Sequence, residues 1–153
     1  MSKNVKIVFP EKLVVYTDGG SRGNPGPAAL GVAIADAKGK ILKTYSETLG
    51  VKTNNEAEYA AVVFALKKIK SLGGGERAKM TEIEIRADSE LLVRQLNHKY
   101  KIESETVIPL FIKIWNAIMD FKSVRFVHIP REKNREADHM VNRALDQEGA
   151  KLF

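Results

Sequence analysis

The chain has no cysteine, and that one absence removes disulfides, thiolate zinc sites and cysteine nucleophiles together and suits a reducing compartment. Histidine is sparse as well, three in 153 residues, so no histidine-rich metal pattern is available. Long apolar runs are also missing. Near the N-terminus, Lys3, Lys6, Glu11 and Lys12 surround one short apolar stretch, Val5 to Phe9, too short for a signal-peptide core or a membrane span. A cytoplasmic protein with no membrane partner is expected. Repeats, low-complexity tracts and linkers are lacking too. The expectation is therefore one domain over 1–153, with 1–11 as a short N-terminal extension, acting as a monomer. With 44% hydrophobic residues, such a chain can bury a full core without staples.

What the sequence has is charge. Its net charge is +6, from 25 Lys and Arg against 19 Asp and Glu, a balance that suits a polyanion such as nucleic acid through phosphate neutralisation and counterion release. Many basic proteins bind no nucleic acid. The excess gains meaning only if an acidic site sits inside the basic surface.

Leu13 to Thr17 is an apolar, β-branched and aromatic run, and the Asp18-Gly19-Gly20 that follows reads as the start of a tight loop. Ala29 to Ala35 and Lys40 to Leu49 read as two further strands, turned through Asp36-Ala37-Lys38-Gly39. Thr53 and Glu56 fit a capping box, and Ala57, Ala60, Ala61, Phe64, Ala65 and Leu66 then keep helical spacing toward Gly73-Gly74-Gly75. Glu82 to Ala87 alternates at period two. Asp88-Ser89 opens a short helix carrying Leu91, Leu92 and Leu96, Pro109 to Phe121 reads as a helix, Val124 to Ile129 as a strand, and Asn134 to Glu148 as a last helix. The order β-β-β-α-β-α-α-β-α implies an α/β fold, a mixed sheet with helices packed over it.

Four carboxylates stand out, each with an ordinary alternative. Asp18 ends a run that reads as buried, where an unpaired charge is costly; the alternative is an Asx turn. Glu58 lies two residues past Glu56, which has the capping job, and shares a helix face with Ala61 and Val62; the alternative is a solvated helix glutamate. Asp88 sits at a strand C-terminus, with Ser89 free to cap, or it is a helix-start residue. Asp138 lies near the start of the last helix, where the macrodipole alone would favour it. Together they could converge at one edge of the sheet. Four such charges would repel one another unless a cation neutralised them, and hard oxygen donors favour magnesium or manganese over zinc. A pair of such ions, about 3.5 to 4 Å apart, can drive in-line phosphodiester cleavage.

Tyr16 to Gly31 (YTDGGSRGNPGPAALG) resembles the first motif of type 1 ribonuclease H. Thr53-Asn54-Asn55-Glu56-Ala57-Glu58 is similar to the second, Ala87-Asp88-Ser89 to the third and Asn134-Arg135-Glu136-Ala137-Asp138 to the fourth, in the family's order over about Leu13 to Leu145. The resemblance implies a ribonuclease H-like fold, three antiparallel strands followed by parallel ones in a five-stranded mixed sheet flanked by helices. It implies an endonuclease that hydrolyses the RNA strand of RNA/DNA hybrids and leaves 3′-hydroxyl and 5′-phosphate ends. Asp18, Glu58, Asp88 and Asp138 would hold two Mg2+ per site, with Mn2+ as a substitute. Asn24, Asn54 and Asn55 match positions that contact the hybrid's minor groove and 2′-hydroxyls, and Thr53 matches one that helps hold a DNA phosphate.

The departures are specific. His128 lies ten residues before Asp138, where many bacterial relatives carry a histidine in a Gly-rich loop, yet here it falls in the Val124 to Ile129 strand. His139 is a weaker candidate and His98 reads as surface. The region between Asp88 and Trp115 lacks the long basic insertion of some bacterial relatives, and Pro130-Arg131-Glu132 with its short loop resembles the archaeal and related bacterial subgroup. Glu90 stands where some relatives place glutamine. Two other readings remain open: a different nuclease of the same fold, and a non-catalytic hybrid-binding module.

Overall fold

The computed structural model describes residues 9–151; the expected extension lies mostly outside them, since 1–8 are not described, while Phe9 joins the buried core. The strands are β1 (Lys12–Ser21), β2 (Gly26–Asp36), β3 (Ile41–Lys52), β4 (Glu82–Ala87) and β5 (Ser123–His128). The helices are α1 (Asn54–Gly73), α2 (Gly75–Ala78), α3 (Glu90–Leu96), α4 (Ile108–Ile118) and α5 (Arg135–Lys151). The sheet order is β3-β2-β1-β4-β5, antiparallel among the first three strands and parallel from β1 through β4 to β5. None of the described helices is long and apolar enough to cross a membrane.

β2 shows how the sequence separates the two faces of the sheet. Leu30, Val32 and Ile34 enter the large core with Leu13, Val15, Ile83 and Ile85, and α1 covers that core through Tyr59, Val62, Leu66 and Ile69. The intervening Ala29, Gly31, Ala33 and Ala35 are small and buried on the opposite face, so α5 can lie close there, with Val141, Ala144 and Leu145 packed on Ala29. Alternation of large and small residues thus sets two helix-to-sheet distances. The half of that second face formed by β4 and β5 carries charge instead. Glu84 accepts from Arg86 Nε at 2.7 Å and from Arg125, and Arg86 Nη1 donates to the Tyr16 hydroxyl at 3.0 Å.

Several elements differ from the sequence expectation. β1 does not give way to a loop at Asp18-Gly19-Gly20 but runs on to Ser21, pairing Asp18 with Gly31. Gly19 fits a close approach, not a turn: a Cβ there would overlap the Ala57 carbonyl and the Glu58 nitrogen. β3 is longer than expected and delivers the chain directly to Thr53, with irregular register against β2 at Ala28/Ala29 and Ile34/Ala35. α4 stops at Ile118, short of Phe121, and the four-residue α2 has no counterpart in the expected elements.

Candidate active site

The site is assembled by register and by two missing side chains. β1 and β4 run parallel with Tyr16 opposite Arg86, so two residues further on Asp18, within β1, and Asp88, just past the carboxyl end of β4, fall side by side, at the edge where α/β sheets place ligands. Gly19 lets α1 settle on β1 and carries Glu58 to the same place. On the other face Gly31, the partner of Asp18, plays the same part for α5. A Cβ there would overlap the Ala137 carbonyl and crowd Met140 and Val141, so the first turn of α5 brings Asp138 in beside Asp18.

One oxygen each from Asp18, Glu58 and Asp88 lie within 4.8 Å of one another. Asp138 stands outside that tight trio but lines the same cleft of about 440 Å³, together with Gly20, Ser21, Arg22, Asn54 and Arg131. Among the described residues, the nearest cation is at the rim: Arg131 Nη2 lies 3.9 Å from Asp138 Oδ1, on a side chain 82% exposed. Arg22 is engaged elsewhere, donating to Asp146 at 2.6 Å.

The charges strain against this crowding. Burial first, and then Asp88, Asp138 and Glu58, push the Asp18 carboxyl up to about 8, against a hydrogen bond from the Gly19 amide. Burial also pushes Glu58 up to about 7, opposed by a hydrogen bond with the Ser89 side chain and reinforced by Asp88. Such carboxyls hold protons until a cation replaces them, and an all-oxygen donor set suits a hard divalent ion. A carboxyl raised above its unfolded value stabilises the fold below that unfolded value and ceases to as pH climbs through the raised one. The metal-free protein is therefore expected to melt at a lower temperature at pH 9 than at pH 6, and Mg2+ or Mn2+ should raise the melting temperature more at pH 9. Equal metal-induced shifts at the two pH values, in thermal scans against EDTA, would count against a metal at these carboxylates.

The other expected residues fall into two groups. Thr53 and Glu56 form the capping box, with Glu56 N donating to Thr53 Oγ1 at 3.1 Å and Thr53 N to Glu56 Oε1 at 2.9 Å, so Glu56 is held away from the carboxylates. Asn24 and Asn54 stitch the β1–β2 turn to α1. Asn24 Oδ1 accepts from Asn54 N at 3.0 Å, and Asn54 Oδ1 accepts from Ser21 N at 2.9 Å. Of the four, Asn54 reaches the cleft wall, while Asn55 keeps a buried carbonyl oxygen with no partner. His128 ends β5 as an exposed residue, His139 is exposed on α5, and exposed His98 lies edge-on to Phe111 and Trp115.

Two participants, Arg131 and Asn134, had no assigned role in the sequence reading, and Ser89 keeps the capping role expected of it. Ser89 caps α3 by accepting from Leu92 N at 3.2 Å and stands beside Glu58 and Asp88, where its hydroxyl counters the rise of the Glu58 carboxyl. Arg131 enters the cleft from the turn after β5. Asn134, 0% exposed, donates through Nδ2 to the Thr17 carbonyl at 2.9 Å, tying the start of α5 to the residue before Asp18. Its place one turn before Asp138, at the head of a helix, was the available signal.

A family model described as reverse transcriptase-like matches residues 16–144. Ribonuclease HI of Halobacterium salinarum is 35% identical over 143 residues, 92% of this chain and 69% of that protein. A bifunctional protein of Mycobacterium tuberculosis is 32% identical over 136 residues, 88% of this chain, which spans only 36% of that longer relative. Among solved structures, LC11-RNase H1 from compost, in complex with RNA/DNA hybrid, superposes with a TM-score of 0.84 at 45% identity, covering 89% of this chain and 98% of that one. RNase H1 from Halobacterium salinarum superposes with a TM-score of 0.81 at 34% identity, covering 89% and 98%.

Proposed function

The chain belongs to the type 1 ribonuclease H family, and on that footing we propose that Asp18, Glu58, Asp88 and Asp138 hold the divalent cations with which it hydrolyses the RNA strand of RNA/DNA hybrids. The reaction leaves 3′-hydroxyl and 5′-phosphate ends. The observation that carries this reading is the trio of carboxylate oxygens within 4.8 Å, with Asp138 on the same cleft wall. Asp18, Glu58, Asp88 and Asp138 would hold the cations, which would supply activation of the attacking water and stabilisation of the leaving oxygen.

The chain's own groups do the rest. Asp18 is central, because the other three charges all raise it. Ser89 stands beside Glu58 and favours its charged form, and Asn134 holds the base of α5 so that Asp138 faces the cleft. Asn54, braced by Ser21 and by Asn24, presents its side chain at the wall, where a 2′-hydroxyl distinguishes RNA from DNA. Asn24 and Asn55 belong to the same groove contact in this reading, and Thr53 to a phosphate of the DNA strand. The excess of positive charge favours the polyanionic duplex. The reading extends to Mg2+ as the preferred ion with Mn2+ as substitute, and to a monomeric, cytoplasmic enzyme built from one domain, since a single chain supplies all four carboxylates.

Side-by-side assays on end-labelled RNA/DNA hybrid, duplex RNA and duplex DNA, across Mg2+ and Mn2+ titrations, test it. Hybrid cleavage confined to the RNA strand and abolished by EDTA is expected. Cleavage of duplex DNA at the rate of hybrid, or hybrid binding without turnover at any metal concentration, would overturn it.

A further inference from the structure

α1 and α3 each bring a carboxylate to the cleft from their N-terminal ends, Glu58 from the start of α1 and Asp88 from just ahead of the Ser89 cap. Like charges at those ends push the two helices apart. α3 is seven residues long, so little of its own structure resists that push. Below the carboxylates, inside the core, a polar contact joins the two helices. The Tyr59 hydroxyl donates to Gln95 Oε1 at 2.7 Å, and Gln95 Nε2 donates to the Lys101 carbonyl at 3.1 Å.

Tyr59 is the residue after Glu58 and is 0% exposed; Gln95 is 7% exposed. The bond to Lys101 decides which end of the Gln95 amide faces the phenol. Two apolar side chains could fill the same space, but a hydrogen bond between a phenol and an oriented amide also fixes the depth and rotation of one helix against the other.

We propose that the Tyr59–Gln95 hydrogen bond sets the spacing of Glu58 and Asp88, keeping both carboxylates gathered before a divalent cation arrives; this rests on the metal-site reading above. Tyr59 and Gln95 are positioning residues, since neither lines the cleft.

Calorimetric titration of Mn2+ into the metal-free full chain, alongside thermal melting, tests it. Tyr59→Phe leaves the Gln95 carbonyl buried without its partner, so it should bind Mn2+ about tenfold more weakly and also melt earlier. Tyr59→Phe combined with Gln95→Leu removes both partners of that bond and leaves the carbonyl of exposed Lys101 to water, so its melting temperature should recover part of the way toward wild type while its Mn2+ affinity stays low. Ile114→Val, a fully buried change on α4, should melt earlier yet bind Mn2+ as the wild type does. Wild-type affinity in Tyr59→Phe or in the double variant, or an equal loss in Ile114→Val, overturns the positioning role. Should the double variant fail to fold, Tyr59→Phe measured against Ile114→Val decides. Failure of the wild type to take up Mn2+ overturns the metal-site reading itself, and the inference with it.

Discussion

Asp88→Asn is expected to abolish hydrolysis of a labelled RNA/DNA hybrid, by about a thousandfold or more, while the protein keeps its fold. A metal-supported displacement draws several kcal/mol of transition-state stabilisation from its cations, and each 1.36 kcal/mol is about tenfold in rate. Asparagine keeps the shape of the side chain but gives up the negative charge beside Asp18 and Glu58. After burial, Asp88 is among the charges that raise both of those carboxyls. Its removal should therefore relieve the metal-free protein at pH 8, and the variant should melt no earlier than wild type in EDTA. Lower activity together with a collapsed melting temperature would mean that Asp88 holds the fold and not the metal. Full activity would remove it from the site.

Gly19→Ala should be nearly as damaging by a different route. The added methyl would overlap the Ala57 carbonyl and the Glu58 nitrogen, backbone atoms that can yield only if α1 lifts from β1. Overpacking of that kind costs about 3 kcal/mol at the upper part of its usual range, which for a chain of this length lowers the melting temperature by roughly 6 to 12 °C. Glu58 moves with the helix. A misplacement of about 1 Å costs on the order of a hundredfold in rate, so the variant should be slow even at temperatures where it is fully folded. Wild-type turnover by folded Gly19→Ala would show that the approach of α1 serves packing alone. Gly75→Ala is the control, because a Cβ there meets nothing within 4 Å and the residue does not line the cleft.

Gly19 also explains where the sequence misled. Gly-Gly after an apolar run has two physical meanings, a turn or a backbone approached by another element, and only the tertiary packing chooses between them. Here the second applies, so β1 runs on past the expected loop. Patterns that rest on neighbours in sequence were legible: the Thr53–Glu56 box, the alternation in β4, the Ser89 cap, and the separation of Glu58 from Glu56 by role. The parallel register of β1 and β4 was legible only through the family resemblance. Arg131, Asn134 and the Tyr59–Gln95 pair were not legible as partners, because each acts across a gap in sequence, 117 residues in the case of Asn134 and Thr17. His128 did come out as a strand residue, exposed at the end of β5, which leaves the carboxylates as the expected centre of the chemistry.

β3 carries a consequence for how the molecule behaves among its own copies. As an outer strand of the sheet, and 12 residues long, it presents a row of backbone donors and acceptors that another chain could extend. Two register breaks against β2 bend that row, and Lys43, Glu47 and Lys52 stand exposed along it. Irregularity and charge of this kind make a strand a poor template for addition. The protein can thus keep a long open edge, needed to carry the chain to Thr53 and the start of α1, without inviting sheet-to-sheet aggregation at high concentration.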